Sequence, residues 1–361
     1  MNYLFFLGHP AHFHLFKNII KSLENRQHNV KVLIKSKDIL EELCVNEGMS
    51  FENIYPKIRG ENKFSIIKSF YFKYVRIGGV IRKFKPNLLL GSEPTLTHLG
   101  KIFNIPSFVF SEDDVEIIPQ FSKIAYPFVD VIMSPYSCNA GKWEHKKMGY
   151  NGFHKLAYLH PSVFSPDKKK ISFLGSDYFI LRLTRLTAYH DKNRTGIHKE
   201  ILNRIIEILE PYGNVFITSE RSLEPEFEKY RLSVDPSLIH HILYYAKLYI
   251  GDSQSMAVEA ALLGTPGIRF NDFADEIGVL NELENKYQLT TGIKTDNFEY
   301  LYSVLHQMLS NNHLEKDYDF RVNKMLKDKI NVPSFFIWFI ENYPESANIM
   351  KQDPDYQYRF K

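Results

Sequence analysis

Residues 248–270 constrain this chain more than any other stretch. Leu248-Tyr249-Ile250 is a short apolar run, the pattern of a strand buried on both faces of a parallel sheet. Gly251 and Asp252 break the run, and Ser253, Gln254 and Ser255 supply polar residues where a helix begins. Met256, Ala257, Ala260, Ala261 and Leu263 give that helix a compact face that can lie close to a sheet. Gly264 stops it, and Pro266 leads into a second strand, Gly267-Ile268-Arg269-Phe270. A strand, a tight polar turn, a helix and another strand make one half-unit of a doubly wound α/β sheet.

Chemistry follows from the helix start. Its unsatisfied backbone N–H groups and the positive end of its dipole attract an anion. Glu259 lies further along the same helix, and a carboxylate there can accept hydrogen bonds from two vicinal hydroxyls. A diphosphate at Asp252, Ser253, Gln254 and Ser255, with a ribose at Glu259, describes a nucleotide. A plainer reading uses the same residues. Ser and Asp often cap helices without binding anything, and Glu259 is then a solvated helix residue.

At 361 residues the chain is long for one core and suits two domains. Net charge is +3, too small to imply nucleic acid. Cys44 and Cys138 have no metal-ligand spacing, and two cysteines so far apart fit a reducing cytoplasm. The N-terminal apolar run, residues 3–7, lacks the basic flank and length of a signal peptide. No apolar stretch approaches the roughly 20 residues of a membrane span.

Strands alternate with helices from the start. Residues 3–7, 30–34, 51–55, 87–91, 106–110 and 130–133 read as strands, with helices over 13–23 and 38–46. Alternation of this kind predicts a parallel sheet, with ligands at the carboxyl ends of its strands. Gly8 and His9, with His12 and His14 one turn on, therefore point at a cleft. No acidic or Cys partner accompanies these histidines at metal-ligand spacing, so Gly8, His9 and His12 are expected to line a substrate surface. Glu93, Glu112 and Asp113 sit in turns after later strands and are candidate general bases, as is His12; capping of the next helix is the alternative for the acids. Residues 63–85 form a basic, aromatic helix with Lys73, Arg76, Arg82 and Lys83. Core packing with a solvated basic face is the main expectation, and contact with an anionic membrane surface the secondary one.

Residues 161–170 hold two prolines and three lysines and read as a linker. The expected organisation is an N-terminal domain over 1–160, this linker, a nucleotide-binding domain over 171–335 and a helical tail over 336–361. In the second domain, strands 178–183 and 214–219 place Arg182, Arg185 and Ser219 at carboxyl ends, as candidates to neutralise and hold the diphosphate, with His190 nearby.

The turn at Asp252 and Ser253, with Glu259 beyond it, resembles the nucleotide-sugar site of UDP-N-acetylglucosamine 2-epimerases, although Gln254 and Ser255 stand where that pattern has two glycines. The chain as a whole is similar to a GT-B-like family catalogued as domain of unknown function 354. Gly8-His9-Pro10-Ala11-His12, Leu181-Arg182 with His190-Asp191, and 251–266 carry that resemblance. It implies an α/β fold of two doubly wound Rossmann-like domains facing a cleft. The family's name gives no reaction; the first reading is a glycosyltransferase using a nucleotide-activated sugar, a UDP-sugar above all, in polysaccharide or glycan biosynthesis. The acceptor is then a glycan or a lipid-linked molecule, and no metal or cofactor is needed beyond the sugar nucleotide. A sugar-nucleotide 2-epimerase is the second reading, with His190 and the carboxylates Glu93, Glu112 and Asp113 as its acid-base groups, although Ala188-Tyr189-His190-Asp191 stands in place of the epimerases' His-Arg-Glu-Asn motif. A non-catalytic nucleotide-sugar binder is the third. Asp317-Tyr318-Asp319 and Asp353-Pro354-Asp355 spell DxD but fall in a helical region away from any strand end.

Overall fold

The computed structural model describes residues 1–55, 63–184, 196–272 and 277–361, with the side chains of 63–70 left out. Arg185 and His190 lie outside the described residues, as do Asp191 and Arg194. The chain divides into two compact units, Met1–Val163 with Ile330–Lys361, and Phe164–Lys329.

In the first unit the strands are Asn2–Leu7 (β1), Asn29–Lys35 (β2), Glu52–Tyr55 (β3), Leu88–Leu90 (β4), Ser107–Phe110 (β5), Val131–Pro135 (β6) and Lys147–Tyr150 (β7). They pair in parallel, in the order β3-β2-β1-β4-β5-β6-β7. The order reverses between β1 and β4, so the ends of those strands open a crevice where ligands bind in such sheets. β1 is Asn2 followed by five fully buried residues, because helices cover both faces. Leu4, Phe6, Leu33 and Leu89 pack on one face with Ile77, Ile81, Leu96 and Leu99. Phe5 meets Phe16 of the Pro10–Asn25 helix at 5.3 Å on the other.

In the second unit the strands are Tyr178–Leu183 (β8), Asn214–Ser219 (β9), Leu248–Gly251 (β10), Gly267–Phe270 (β11) and Thr291–Ile293 (β12). Their order is β12-β11-β10-β8-β9, again parallel, with the reversal between β8 and β10. Both expected doubly wound sheets are therefore present. β7 and β12 were not expected from the sequence. Lys147-Met148-Gly149-Tyr150 and Thr291-Gly292-Ile293 are short edge strands with glycine inside them, so neither carries a strand signal.

Two boundaries differ from the sequence reading. Residues 330–361 belong with the first unit, not with a nucleotide domain and a separate tail. Ile330 N–H donates to Asn151 O at 3.0 Å, and Phe336 packs edge-on against Tyr150 at 5.0 Å and Phe110 at 5.3 Å. Most of the expected linker is part of the second unit. Asp167 N–H donates to His241 Nδ1 at 3.0 Å, and Asp167 then caps the Lys168–Leu174 3-10 helix.

Candidate functional site

The organising turn lies at the reversal point of the second sheet. Gly251 ends β10 where a Cβ would come within 2.5 Å of the Tyr249 hydroxyl and 2.8 Å of Arg182 Cβ, so no larger residue fits. Ser253 caps the Gln254–Leu263 helix, its Oγ accepting from Met256 N–H at 3.3 Å. Gly264 closes that helix in the left-handed conformation, at φ 81°. Gln254 and Ser255 occupy its first two positions, where backbone N–H groups have no partner within the helix; Gln254 is half-buried and Ser255 exposed. Glu259 is on the same helix with its side chain 13% exposed, and its Oε1 meets His240 Nε2 at 3.3 Å.

Three expected ligand residues have other partners here. Asp252 is almost fully buried, and its Oδ1 accepts from the N–H and hydroxyl of Thr184 at 2.7 and 2.9 Å. Its Oδ2 accepts from Ile197 N–H at 3.4 Å. Asp252 thus ties the end of β8 to the end of β10 and fixes the turn from below. Burial raises its pKa, opposed by the Thr184 bonds and the Arg221 charge. Ser219 Oγ accepts from Arg221 N–H at 3.1 Å and donates to Arg221 O at 2.7 Å, which closes its own turn. Arg182 remains at the end of β8, half-buried, and pairs with Glu220.

At the reversal point of the first sheet, Gly8 and His9 follow β1, and Gly91, Ser92 and Glu93 follow β4. Gly91 has φ +144°, and a Cβ there would lie 2.6 Å from Phe6 O, so the close turn demands glycine. His9 caps the Pro10–Asn25 helix through Nδ1, 3.1 Å from Ala11 N. His12 Nδ1 accepts Gly8 N–H at 3.2 Å, so the ring hydrogen sits on Nε2. Burial, then His9, Lys35, Lys37 and His154, push the His12 pKa down to about 3. His12 is therefore neutral, with Nδ1 occupied by Gly8 N–H and Nε2 left as an N–H donor.

Glu93 is buried as the cap of the Pro94–Phe103 helix. Its Oε1 accepts from Thr95 N–H, from the Thr95 hydroxyl and from Lys73 Nζ at 3.4, 3.0 and 2.9 Å. Those donors give it the capping role and leave it poorly placed as a base. Glu112 and Asp113 follow β5, and neither caps a helix, since the next one begins at Pro119. Glu112 pairs with the buried Lys155, and its Oε2 lies 3.9 Å from His154 Nδ1. Asp113 is exposed.

His154, Lys155, Arg221 and His240 were missed. His154 and Lys155 meet Glu112 in the first unit, and Arg221 and His240 lie beside Asp252 and Glu259 in the second; each comes from a loop or helix with no motif of its own. Among the described residues no group of three His, Cys, Asp or Glu side chains is gathered as for a metal ion.

Two parallel doubly wound sheets, each with polar residues at its reversal point, give the chain a GT-B-like fold. Solved structures bear out this fold. UDP-N-acetylglucosamine 2-epimerase from Neisseria meningitidis, bound to UDP-GlcNAc, is 14% identical with a TM-score of 0.63, the match covering 91% of this chain and 98% of that one. The S. aureus MnaA-UDP co-structure is 12% identical with a TM-score of 0.65, covering 96% and 97%. The spinosyn rhamnosyltransferase SpnG is 13% identical with a TM-score of 0.62, covering 95% and 100%. No curated protein matches the sequence. The chain belongs to the family described as "Protein of unknown function (DUF354)", which matches residues 6–312.

Proposed function

We propose that the protein is a glycosyltransferase that uses a UDP-sugar in polysaccharide or glycan biosynthesis. The observation that carries this reading is the open start of the Gln254–Leu263 helix, at a sheet reversal point, with Glu259 on the same helix. The N–H groups of Gln254 and Ser255 and the helix dipole take the diphosphate, whose charge grows as the sugar departs. Arg182, oriented by Glu220, adds a guanidinium beside it. Glu259 takes the ribose diol. Glu112 or Asp113, neither of which caps a helix, removes the acceptor proton. The helix start and the guanidinium supply the positive charge, so the reading needs no metal. The proposed setting is the cytoplasm, and among the described residues no helix is long and apolar enough to cross a membrane.

A 2-epimerase is the second reading. It is favoured by a neutral imidazole donor, His12, in the same unit as the carboxylates of Glu112 and Asp113. Incubation with a panel of nucleotide sugars, without acceptor, separates the two. Mass spectrometry and proton NMR that detect a new epimer, or UDP with a free 2-epimer, favour the epimerase. Binding with turnover only after an acceptor is added favours the transferase.

Glu259→Ala tests the site itself. Two charge-assisted hydrogen bonds, each worth about 1.5–3 kcal/mol, are at stake. The expected loss of UDP affinity by calorimetry is roughly a hundredfold, in chelator as in magnesium. Unchanged affinity, or binding abolished by chelator, goes against this reading.

A further inference from the structure

We propose that His240 is a positioning residue of the nucleotide site, holding Glu259 in the orientation that receives the ribose diol. The inference rests on the nucleotide reading above. Glu259 has three rotatable side-chain bonds on a helix surface, and an unrestrained glutamate must be ordered each time a ligand binds. Here it is restrained in advance. His240 Nε2 lies 3.3 Å from Glu259 Oε1, and the His240 side chain is only 6% exposed. A carboxylate only accepts, so Nε2 carries the hydrogen and the imidazole is the donor.

The imidazole is itself fixed. Phe164 stands edge-on to it, with centroids 6.1 Å apart and planes at 82°. The next residue, His241, packs on the same phenyl ring at 5.1 Å and accepts Asp167 N–H at 3.0 Å. The segment that opens the second unit therefore clamps both histidines. A carboxylate held in one orientation can accept from two adjacent hydroxyls, which favours a vicinal diol, hence a ribonucleotide over a deoxyribonucleotide.

The test compares UDP with 2′,3′-dideoxy-UDP by calorimetry on the full chain. His240→Phe keeps an aromatic ring and removes the donor. His240→Gln returns an N–H at similar reach. If the phenylalanine variant does not fold, His240→Asn, whose amide stops short of Glu259, takes its place. The expected result is about tenfold weaker UDP binding for the donor-less variant, equal to about 1.4 kcal/mol. Dideoxy-UDP binding should not change, and His240→Gln should recover most of the loss. Combined with Glu259→Ala, the donor-less substitution should add no further penalty.

Equal weakening of both ligands would mean a merely structural histidine and would overturn the proposal. So would unchanged affinity for UDP. Failure of the nucleotide reading looks different, because the wild-type protein would then not distinguish UDP from its dideoxy analogue at all. If the wild type does distinguish them, and Glu259→Ala removes the distinction while the donor-less variant keeps it, only the role of His240 is wrong.

Discussion

Single side chains decide what each sheet end can do. His12 and His154 are both held neutral, with pKa values pushed down to about 3 and about 4, chiefly by burial. Glu112 pulls His154 upward and Lys155 pushes it down, but desolvation dominates both. Each folded value lies below the ordinary 6.5, so between the two the unfolded chain binds more protons. Stability from these residues is therefore complete above pH 6.5 and is lost as pH falls toward 4. Each contributes a slope of about 1.4 kcal/mol per pH unit in that window. Asp252 works in the opposite sense, because burial raises its pKa and its contribution declines as pH rises through the folded value. Urea unfolding from pH 7.5 to 4.5 should show stability falling with pH, and His154→Gln should reduce that slope by about one proton. An unchanged slope in the variant would contradict the assignment. The residue scale is also where sequence reading was weakest. An aspartate or serine in a βα turn looks the same whether it meets a ligand or ties the turn together. Only the positions of Thr184 and Arg221 separated Asp252 and Ser219 from Ser253.

Among the elements, the basic helix Lys63–Phe84 changes meaning once it is placed. Its periodicity made the helix legible, but not which partners its cations find. Lys73 donates to the buried Glu93 at 2.9 Å, and Arg76 donates to Ile54 O at 2.6 Å. Neither belongs to a free basic face suited to a membrane. Tyr71, Phe72, Val75, Arg76, Arg82 and Lys83 are exposed, so Arg76 bonds Ile54 O while staying at the surface. Removing one partner of a buried ion pair leaves the other charge uncompensated, at a cost of about 3–5 kcal/mol. Lys73→Ala should therefore destabilise the first unit by that order in urea. Lys73→Met combined with Glu93→Gln should recover much of it, because no charge is then stranded. A Lys73→Ala loss below 1 kcal/mol would show that the pair is solvated.

Across the whole chain, the C-terminal helices complete the unit where the chain began. Phe335, Phe336 and Phe339 of the Val332–Glu341 helix are fully buried. Phe339 lies 5.6 Å from Phe108, and Phe336 lies 5.3 Å from Phe110. Burying one phenylalanine contributes about 1.5–3 kcal/mol, so three approach the roughly 5–15 kcal/mol of a whole domain. A chain ending at Lys329 should lose the folded first unit and keep the second. Calorimetry and NMR of that truncation check this, alongside residues 164–329 expressed alone. A truncated chain that retains the first unit's melting transition would refute it.

The sequence by itself determined the local elements and their class. Apolar runs punctuated by Gly, Pro and capping residues fix strands and helices through short-range sterics and burial, so both doubly wound sheets were legible from the periodicity of residues 3–133 and 178–270. The start of the Gln254–Leu263 helix was legible too, because Ser253, Gln254 and Ser255 are local to it. Tertiary structure alone decided which side chains share a site. His240 reaches Glu259 from the helix before β10, Lys73 reaches Glu93 across 20 residues, and Lys155 reaches Glu112 across 43. Those meetings follow from strand order and helix placement, which no local pattern encodes. The fate of residues 330–361 was settled the same way, since an apolar helix face marks itself for burial but does not name the surface that buries it.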